Sequence, residues 1–484
     1  MSFNVKKNNK IVCLLLSAMT TVLFASASSV CTAVAAPNVT ASTAEERLAL
    51  PVQSNETEDW PAGFKISAES AILIDADSHA ILYAKNIHEQ LYPASTTKLL
   101  TCLIAAENGN LDDTVTFSHT AVSSVPSDGS NMGIDEGQSL PLEKCLYGIM
   151  VGSANEAANA VAEYISGSIP EFATLMNKKA AELGCQDSHF ANANGIHEDD
   201  HYTSAYDLSL IGAAFFHNDA LAKIGNTPQY HFTPTEGQPD DFYLKNKHKL
   251  ITGEIPCDGV IGGKTGYTSQ AGETLVTCAK RDGLSLVCVV MKEDSPSQFN
   301  DTVTLFDYGF SNFSKVSIAD NDSSYNTDDL SSQIGTDLFG SSQPLVSVSP
   351  DGYVILPNSA DFSDVVSVIT FLPETSDSNV TAKINYTYNG TFIGSANVIV
   401  SKQAAASCAA AFSGGSCSDP GYKKTIFINM KTVIIIIAVL AALYLLITFI
   451  CSTIRSYNFA YANINRARHV SRRRHRRNSH DIDF

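Results

Sequence analysis

Positive charge is scarce over most of this 484-residue chain. Between residues 37 and 422 there are 18 lysines and arginines against 48 aspartates and glutamates, a formal charge of −30. So acidic a stretch excludes nucleic acid and anionic lipid as its partners. Metal-binding cysteine patterns are also lacking. The chain has 11 cysteines, but none stands in C-x-x-C or other metal-ligand spacing. Cys102, Cys145, Cys185, Cys257, Cys278 and Cys288 are scattered among apolar residues and read as small buried hydrophobes. Cys408 and Cys417 lie in an Ala/Gly/Ser stretch where a bridge closes easily, and either state, bridged or free, fits. No metal and no cofactor is expected.

Two segments lack charge almost entirely. Residues 1–36 carry Lys6, Lys7 and Lys10, then an apolar stretch, then small residues ending in Ala35-Ala36, the layout of a cleaved secretory signal peptide. Residues 432–451, TVIIIIAVLAALYLLITFIC, contain no charged residue and match the length of a bilayer core. Eight arginines follow in the tail 452–484, which the positive-inside rule places in the cytoplasm. The expectation is a single-pass cell-membrane protein anchored by a C-terminal transmembrane helix, with its middle facing outward.

What lies between is organised in blocks. Residues 37–60 are polar and read as a flexible lead-in. Residues 61–315 mix strand patterns and helical runs. SAILIDADSHAILYAKN reads as a hairpin turning at positions 75–79, and a second hairpin turns at Asp282-Gly283. In LEKCLYGIMVGSANEAANAVAEYISG apolar residues recur every three or four positions, which puts Ser153 and Asn155 at a helix start or break. Strands at both ends of a helical middle imply an α+β fold, with an antiparallel sheet and a helical subdomain. A linker at 316–343, a small all-β domain at 344–402 and a second linker at 403–431 complete the division.

Three short patterns could carry chemistry. In YPASTTKLLT, Ser95 and Lys98 are three apart and share one face of a helix, so the amine can reach the hydroxyl. A serine is a weak nucleophile until a base takes its proton. A lysine serves as that base only when burial or a second cation lowers its pKa. S-x-x-K alone is weak, since roughly two arise by chance in a chain this long. In VGSANEAAN, Ser153 and Asn155 form S-x-N, which a helix N-cap explains equally well. The third pattern is Lys264-Thr265-Gly266, flanked by glycines that let another backbone approach closely.

Their order and separation resemble the signature of the serine penicillin-binding proteins and β-lactamases. YPASTTKLLT, GSANEAANAVAEYISG, NANGIHEDDHYTSAYDLSLI, GGKTGYTSQAG and LFDYGFSNF together resemble the low-molecular-mass penicillin-binding proteins that are serine-type D-alanyl-D-alanine carboxypeptidases. The resemblance runs from about residue 64 to 313. It implies the β-lactamase/DD-peptidase-like transpeptidase fold, peptidoglycan stem peptides ending in D-Ala-D-Ala as substrate, and acylation by β-lactam antibiotics. It implies Ser95 as nucleophile, Lys98 as base and Ser153 as proton relay. Asn155, Lys264, Thr265, Gly266 and Tyr267 would bind substrate, with an oxyanion hole from the N–H groups of Ser95 and Tyr267.

Two positions depart from the family. Thr96 stands where a methionine is common, and Gln298 stands where many relatives carry an arginine that clamps a carboxylate; Gln298 reads here as a surface residue. By the same resemblance, His197, Glu198, Asp199, Asp200 and His201 form a loop into a helix capped by Thr203 or Ser204, not a metal cluster. The alternatives are a catalytically silent peptidoglycan-binding or sensor protein, and a serine β-lactamase. No persuasive E-x-x-x-N pattern lies between Asn155 and Lys264 to supply the latter's deacylating carboxylate.

Overall fold

A computed structural model of the chain describes residues 43–322, 346–371 and 380–400. The signal segment, the Cys408/Cys417 pair, the apolar segment 432–451 and the arginine tail lie outside these residues. Among the described residues no helix is long and apolar enough to cross a membrane.

The main sheet begins with the expected hairpin, β1 (Ser70–Asp75) and β2 (Ile81–Lys85). Helix α1 (Lys98–Asn108) follows a 3-10 turn, Ala94–Thr97. A small hairpin joins β3 (Thr114–Thr116) to β4 (Ser139–Pro141). Beyond it come α2 (Asn155–Ser166), α3 (Ile169–Glu182) and α4 (Ala205–Phe216), the last capped by Ser204. A second small hairpin, β5 (Gln229–Phe232) with β6 (Phe242–Lys245), leads to β7 (Val260–Thr268), β8 (Gly272–Arg281) and β9 (Leu284–Glu293). The β8–β9 turn is at Asp282 and Gly283 as expected; both have positive φ, 50° and 82°, which suits the twist of a two-residue hairpin. The antiparallel order is β2-β1-β9-β8-β7.

Both faces of this sheet are covered, which explains why β1 reads as an unbroken apolar run rather than an alternating one. Ile72, Ile74, Val276, Cys278, Val287 and Val289 pack in one core with Leu208, Ile211 and Phe215 of α4. Ala71, Leu73, Leu275, Leu286, Cys288 and Val290 face the other way, against Phe299, Leu305 and Phe306 of α5 (Ser297–Asn312). Cys102, Cys145, Cys278 and Cys288 are buried free thiols; Cys185 and Cys257 are half-buried and also free.

Two expected boundaries are corrected. The lead-in expected to be flexible is built into the fold from Thr43 onward: helix Ala44–Ala49 starts with a capping box between Thr43 and Glu46. Arg47 donates to Ser67 O and pairs with Asp294. Lys85, fully buried, donates to the carbonyls of Arg47, Ile66 and Ala68 at 2.7–2.8 Å. Those carbonyls compensate an amine that would otherwise be buried at a cost of several kcal/mol, on the order expected for an unpaired charge. Trp60 is also buried, its Nε1 donating to Leu82 O.

The second correction concerns the linker at 316. Strand β10 (Phe313–Ser317) leaves α5 directly and pairs with β12 (Tyr353–Pro357), so the 315/316 division cuts through a strand. The later β-rich stretch supplies β11 (Val346–Val348), β12, β13 (Val366–Phe371), β14 (Val380–Tyr388) and β15 (Thr391–Val400). They form a second antiparallel sheet, β10-β12-β15-β14-β13, with β11 on β15. Its Val354, Ile355 and Leu356 join the same apolar core as Leu73 and Phe306.

Candidate active site

Strand β7 is the edge of the main sheet and lies across the turn that starts α1. Pro93 has φ −75° and Ala94 φ 48°, an uncommon left-handed value for a residue with a side chain. This bend puts Ser95 and Lys98 on one side of the turn. Gly266 is what lets β7 come so close. A Cβ there would lie 2.8 Å from Pro93 O and 3.1 Å from Ser95 N.

The S-x-N element is a second bend. After helix Leu142–Tyr147 the chain widens into a π turn, Gly148–Gly152, and then reverses at Ser153, which is left-handed with φ 59°. Asn155 opens α2, its N–H donating to Ser130 O at 2.9 Å. Ser153 and Asn155 are each 5% exposed.

The structure brings Ser95, Lys98, Ser153, Asn155 and Lys264 together. Lys98 Nζ lies 2.9 Å from Ser95 Oγ, 2.7 Å from Asn155 Oδ1 and also against Asn194 O. Lys264 Nζ donates to Ser153 Oγ at 3.1 Å and to Thr265 O at 2.8 Å. Thr265, Gly266 and Tyr267 line the same cleft, whose volume is about 700 Å³, within the range of small-ligand sites.

These contacts dictate protonation. Burial, and then the charge of Lys264, hold Lys98 well below the ordinary lysine pKa. Burial, then the charge of Lys247, lower Lys264 to about 7. A neutral lysine amine has two N–H donors and one lone pair. Asn155 Oδ1 and Asn194 O are both acceptors and take the two donors, so the lone pair is left for the Ser95 hydroxyl. The arrangement can accept a proton from Ser95 and so make it a nucleophile.

Several residues of this site are given no part in it by the sequence reading. Asn194 supplies the second acceptor and is itself held by Asn159, Nδ2 to Oδ1 at 2.9 Å. Asn192 Oδ1 accepts from the N–H of Gly195, closing a local turn. The N-x-N-G run was the available signal, since Asn and Gly in that pattern mark a fixed turn. His201 is buried behind it, Nε2 2.8 Å from Thr97 Oγ1, with Nδ1 accepting from Ala191 N. Of its neighbours, His197 meets the Tyr92 ring edge-on, with the ring planes at 86°, and Glu198 accepts from Asn192 Nδ2. Gln298 is corrected: it is 3% exposed rather than superficial and lines the cleft.

A family model described as D-alanyl-D-alanine carboxypeptidase matches residues 54–295, half of the chain. The chain belongs to the D-alanyl-D-alanine carboxypeptidase family. It is 36% identical over 252 residues to such a carboxypeptidase of Bacillus subtilis, a match covering 51% of this chain and 63% of that one. Against one from Mycobacterium tuberculosis the identity is 32% over 249 residues, covering 50% and 82%. The fold is similar to the crystal structure of penicillin binding protein 5 from Haemophilus influenzae, with a TM-score of 0.55 and 26% identity over 70% of this chain and 98% of the other. It is also similar to penicillin binding protein 6B from Escherichia coli, TM-score 0.52, 25% identity, covering 71% and 98%. The α+β expectation is thereby met, and the enzyme is placed in a serine-type carboxypeptidase family.

Proposed function

We propose that this enzyme removes the terminal D-alanine from peptidoglycan stem peptides through an acyl-enzyme on Ser95. The observation that carries this reading is the Lys98 amine, 2.9 Å from Ser95 Oγ with both its donors engaged elsewhere. Ser95 Oγ attacks the carbonyl between the two D-alanines and gives its proton to Lys98. The tetrahedral oxyanion is held by the N–H groups of Ser95 and Tyr267. Lys98 returns the proton by way of Ser153 to the nitrogen of the departing D-alanine, the C–N bond breaks, and an ester remains on Ser95. Water then attacks the ester, freeing the shortened peptide and restoring the hydroxyl. Asn155 orients Lys98 and the substrate amide, and Lys264 holds Ser153. β-Lactams acylate Ser95 because their ring amide occupies the place of the scissile bond.

We further propose that the chain enters the secretory pathway through residues 1–36 and stays in the cell membrane by 432–451, with the catalytic part outside. The uncharged length of 432–451 and the eight arginines after it support this placement. The activity is tested by incubating the purified full-length chain with a stem pentapeptide and weighing the products. Loss of one alanine is expected. An unchanged pentapeptide, from protein that is folded, contradicts the reading.

A further inference from the structure

Helix α2 carries two buried asparagines one turn apart, Asn155 and Asn159, among the buried apolar residues Ala157, Ala158, Ala160 and Val161. Asn155 receives Lys98 directly, 2.7 Å away. Asn159 does not touch Lys98, and the proposed chemistry gives it no part. It is 1% exposed, and a buried amide costs stability unless its polar atoms find partners. Both of them do. Asn159 Nδ2 donates to Ala121 O at 3.2 Å and to Ser124 Oγ at 3.0 Å, at the end of the short helix His119–Ser123. Asn159 Oδ1 accepts from Asn194 Nδ2 at 2.9 Å.

These contacts leave neither amide a second orientation. The Ala121 carbonyl only accepts, so Asn159 turns its NH2 group toward the helix end and its oxygen toward Asn194. Asn194 is fixed in the same way from its other side: the Ile196 N–H donates to its Oδ1 at 2.8 Å, which leaves Nδ2 for Asn159. The backbone of Asn194 follows its side chain. Its N–H donates to Asn192 Oδ1 at 3.3 Å, and its carbonyl accepts from Lys98 Nζ. A carbonyl that any residue would supply is thus set in place by a side-chain amide on α2.

We propose that Asn159 is a positioning residue for the base: through the Asn194 amide it holds the Asn194 carbonyl on Lys98, and so keeps the lysine lone pair turned toward Ser95. This rests on the reading of Lys98 as the base that activates Ser95. When the carbonyl withdraws, two things change together. One N–H of the neutral amine loses its acceptor, so the lone pair is no longer aimed and proton transfer from Ser95 slows. The ammonium form loses a carbonyl dipole that favours its charge, so the Lys98 pKa falls further. The titratable groups facing Lys98 are Lys264, Lys247, Glu156, Cys102 and His201, and substitution at 159 removes none of them. A slower base with a lower pKa is the signature of losing this tie.

The experiment follows acylation of the full-length chain by a fluorescent penicillin across a pH series, in wild type, Asn159→Ala, Asn194→Ala and the double variant. Asn177→Ala is the control. Asn177 lies on α3 and ties the same stretch at Phe190, at 2.8 and 2.9 Å, with no link to Lys98. Asn159→Ala is expected to lose about 10-fold in the limiting rate at high pH, the scale of one hydrogen bond, and its rising limb is expected to move to lower pH. Asn194→Ala keeps the carbonyl and loses only the tie, so it is expected to match, and the double variant to add nothing. Asn177→Ala is expected to melt at a lower temperature with its limb in the wild-type place. An unmoved limb in Asn159→Ala, losses at 159 and 194 that add in the double variant, or an equal limb shift in Asn177→Ala overturns the assignment. Thermal melting identifies the folded variants; should Asn159→Ala not fold, an unmoved limb in Asn194→Ala overturns it. Wild-type protein that is folded yet takes up no penicillin and releases no D-alanine overturns instead the reading on which the assignment rests.

Discussion

Gly195 lies so close to Ala94 that a β-carbon at position 195 would fall 1.9 Å from the Ala94 carbonyl oxygen. Two bends press on each other here: the turn that carries Ser95, and the loop whose Asn194 carbonyl receives Lys98. Gly195 has φ 80°, which adds backbone strain to any residue with a side chain.

Gly195→Ala is therefore expected to destabilise the protein by about 2–4 kcal/mol, from strain and overlap together. Because the loop must retreat from the turn, Asn194 O moves off Lys98 and acylation slows. Chemical denaturation and penicillin acylation measured on one preparation check this. A variant with wild-type stability and rate contradicts the close packing.

The charge of Lys264 is one cause of the lowered pKa of Lys98, after burial. In the proposed mechanism Lys98 is a base only when neutral, so acylation is expected to rise as pH climbs through its folded pKa. Removing the neighbouring charge by Lys264→Gln lets that pKa rise toward the ordinary lysine value. The rising limb of the acylation profile is then expected to move to higher pH than in wild type. A limb that stays in place shows that burial alone sets the base.

His201 and His248 are both fully enclosed, and burial drives each ring's pKa down to about 3. In the unfolded chain both titrate near the usual 6.5. A group whose folded pKa is depressed supports the fold fully above the unfolded value, and loses that support as pH falls toward the folded one. Stability is expected to drop between pH 6.5 and about 3 by up to about 1.4 kcal/mol per pH unit for each ring. Urea unfolding at pH 7, 6 and 5 measures the slope. His248→Gln, lacking one of the two rings, is expected to show a shallower dependence, and an unchanged slope contradicts the assignment.

The pairing of Ser95 with Lys98 was legible because the chemistry proposed for it restricts residue type. A serine needs a base at helical spacing, and that spacing is written as S-x-x-K. The environment that lowers the pKa of Lys98 was much less so. One of its two acceptors is the backbone carbonyl of Asn194, which any residue would supply, and its depth comes from the packing of α1. Gln298 reads like a surface glutamine; only the placement of the first turn of α5 over the cleft buries it. Likewise residues 43–60 have the polarity of a loose segment. What fixes them is Lys85 on β2, fully buried and donating to Arg47 O at one end of the stretch and to Ile66 O and Ala68 O just beyond the other. Long-range pairings of this kind leave no periodicity to read.

Catalysis in this cleft stands on Ser95 being the nucleophile that Lys98 activates. Mass spectrometry of the full-length chain after exposure to labelled penicillin tests it most directly, with Ser95→Ala alongside. A single adduct mapped to Ser95 is predicted, together with no adduct in the variant and a change in stability of less than about 0.5 kcal/mol. Label retained by folded Ser95→Ala, or mapped to another residue in wild type, would contradict it.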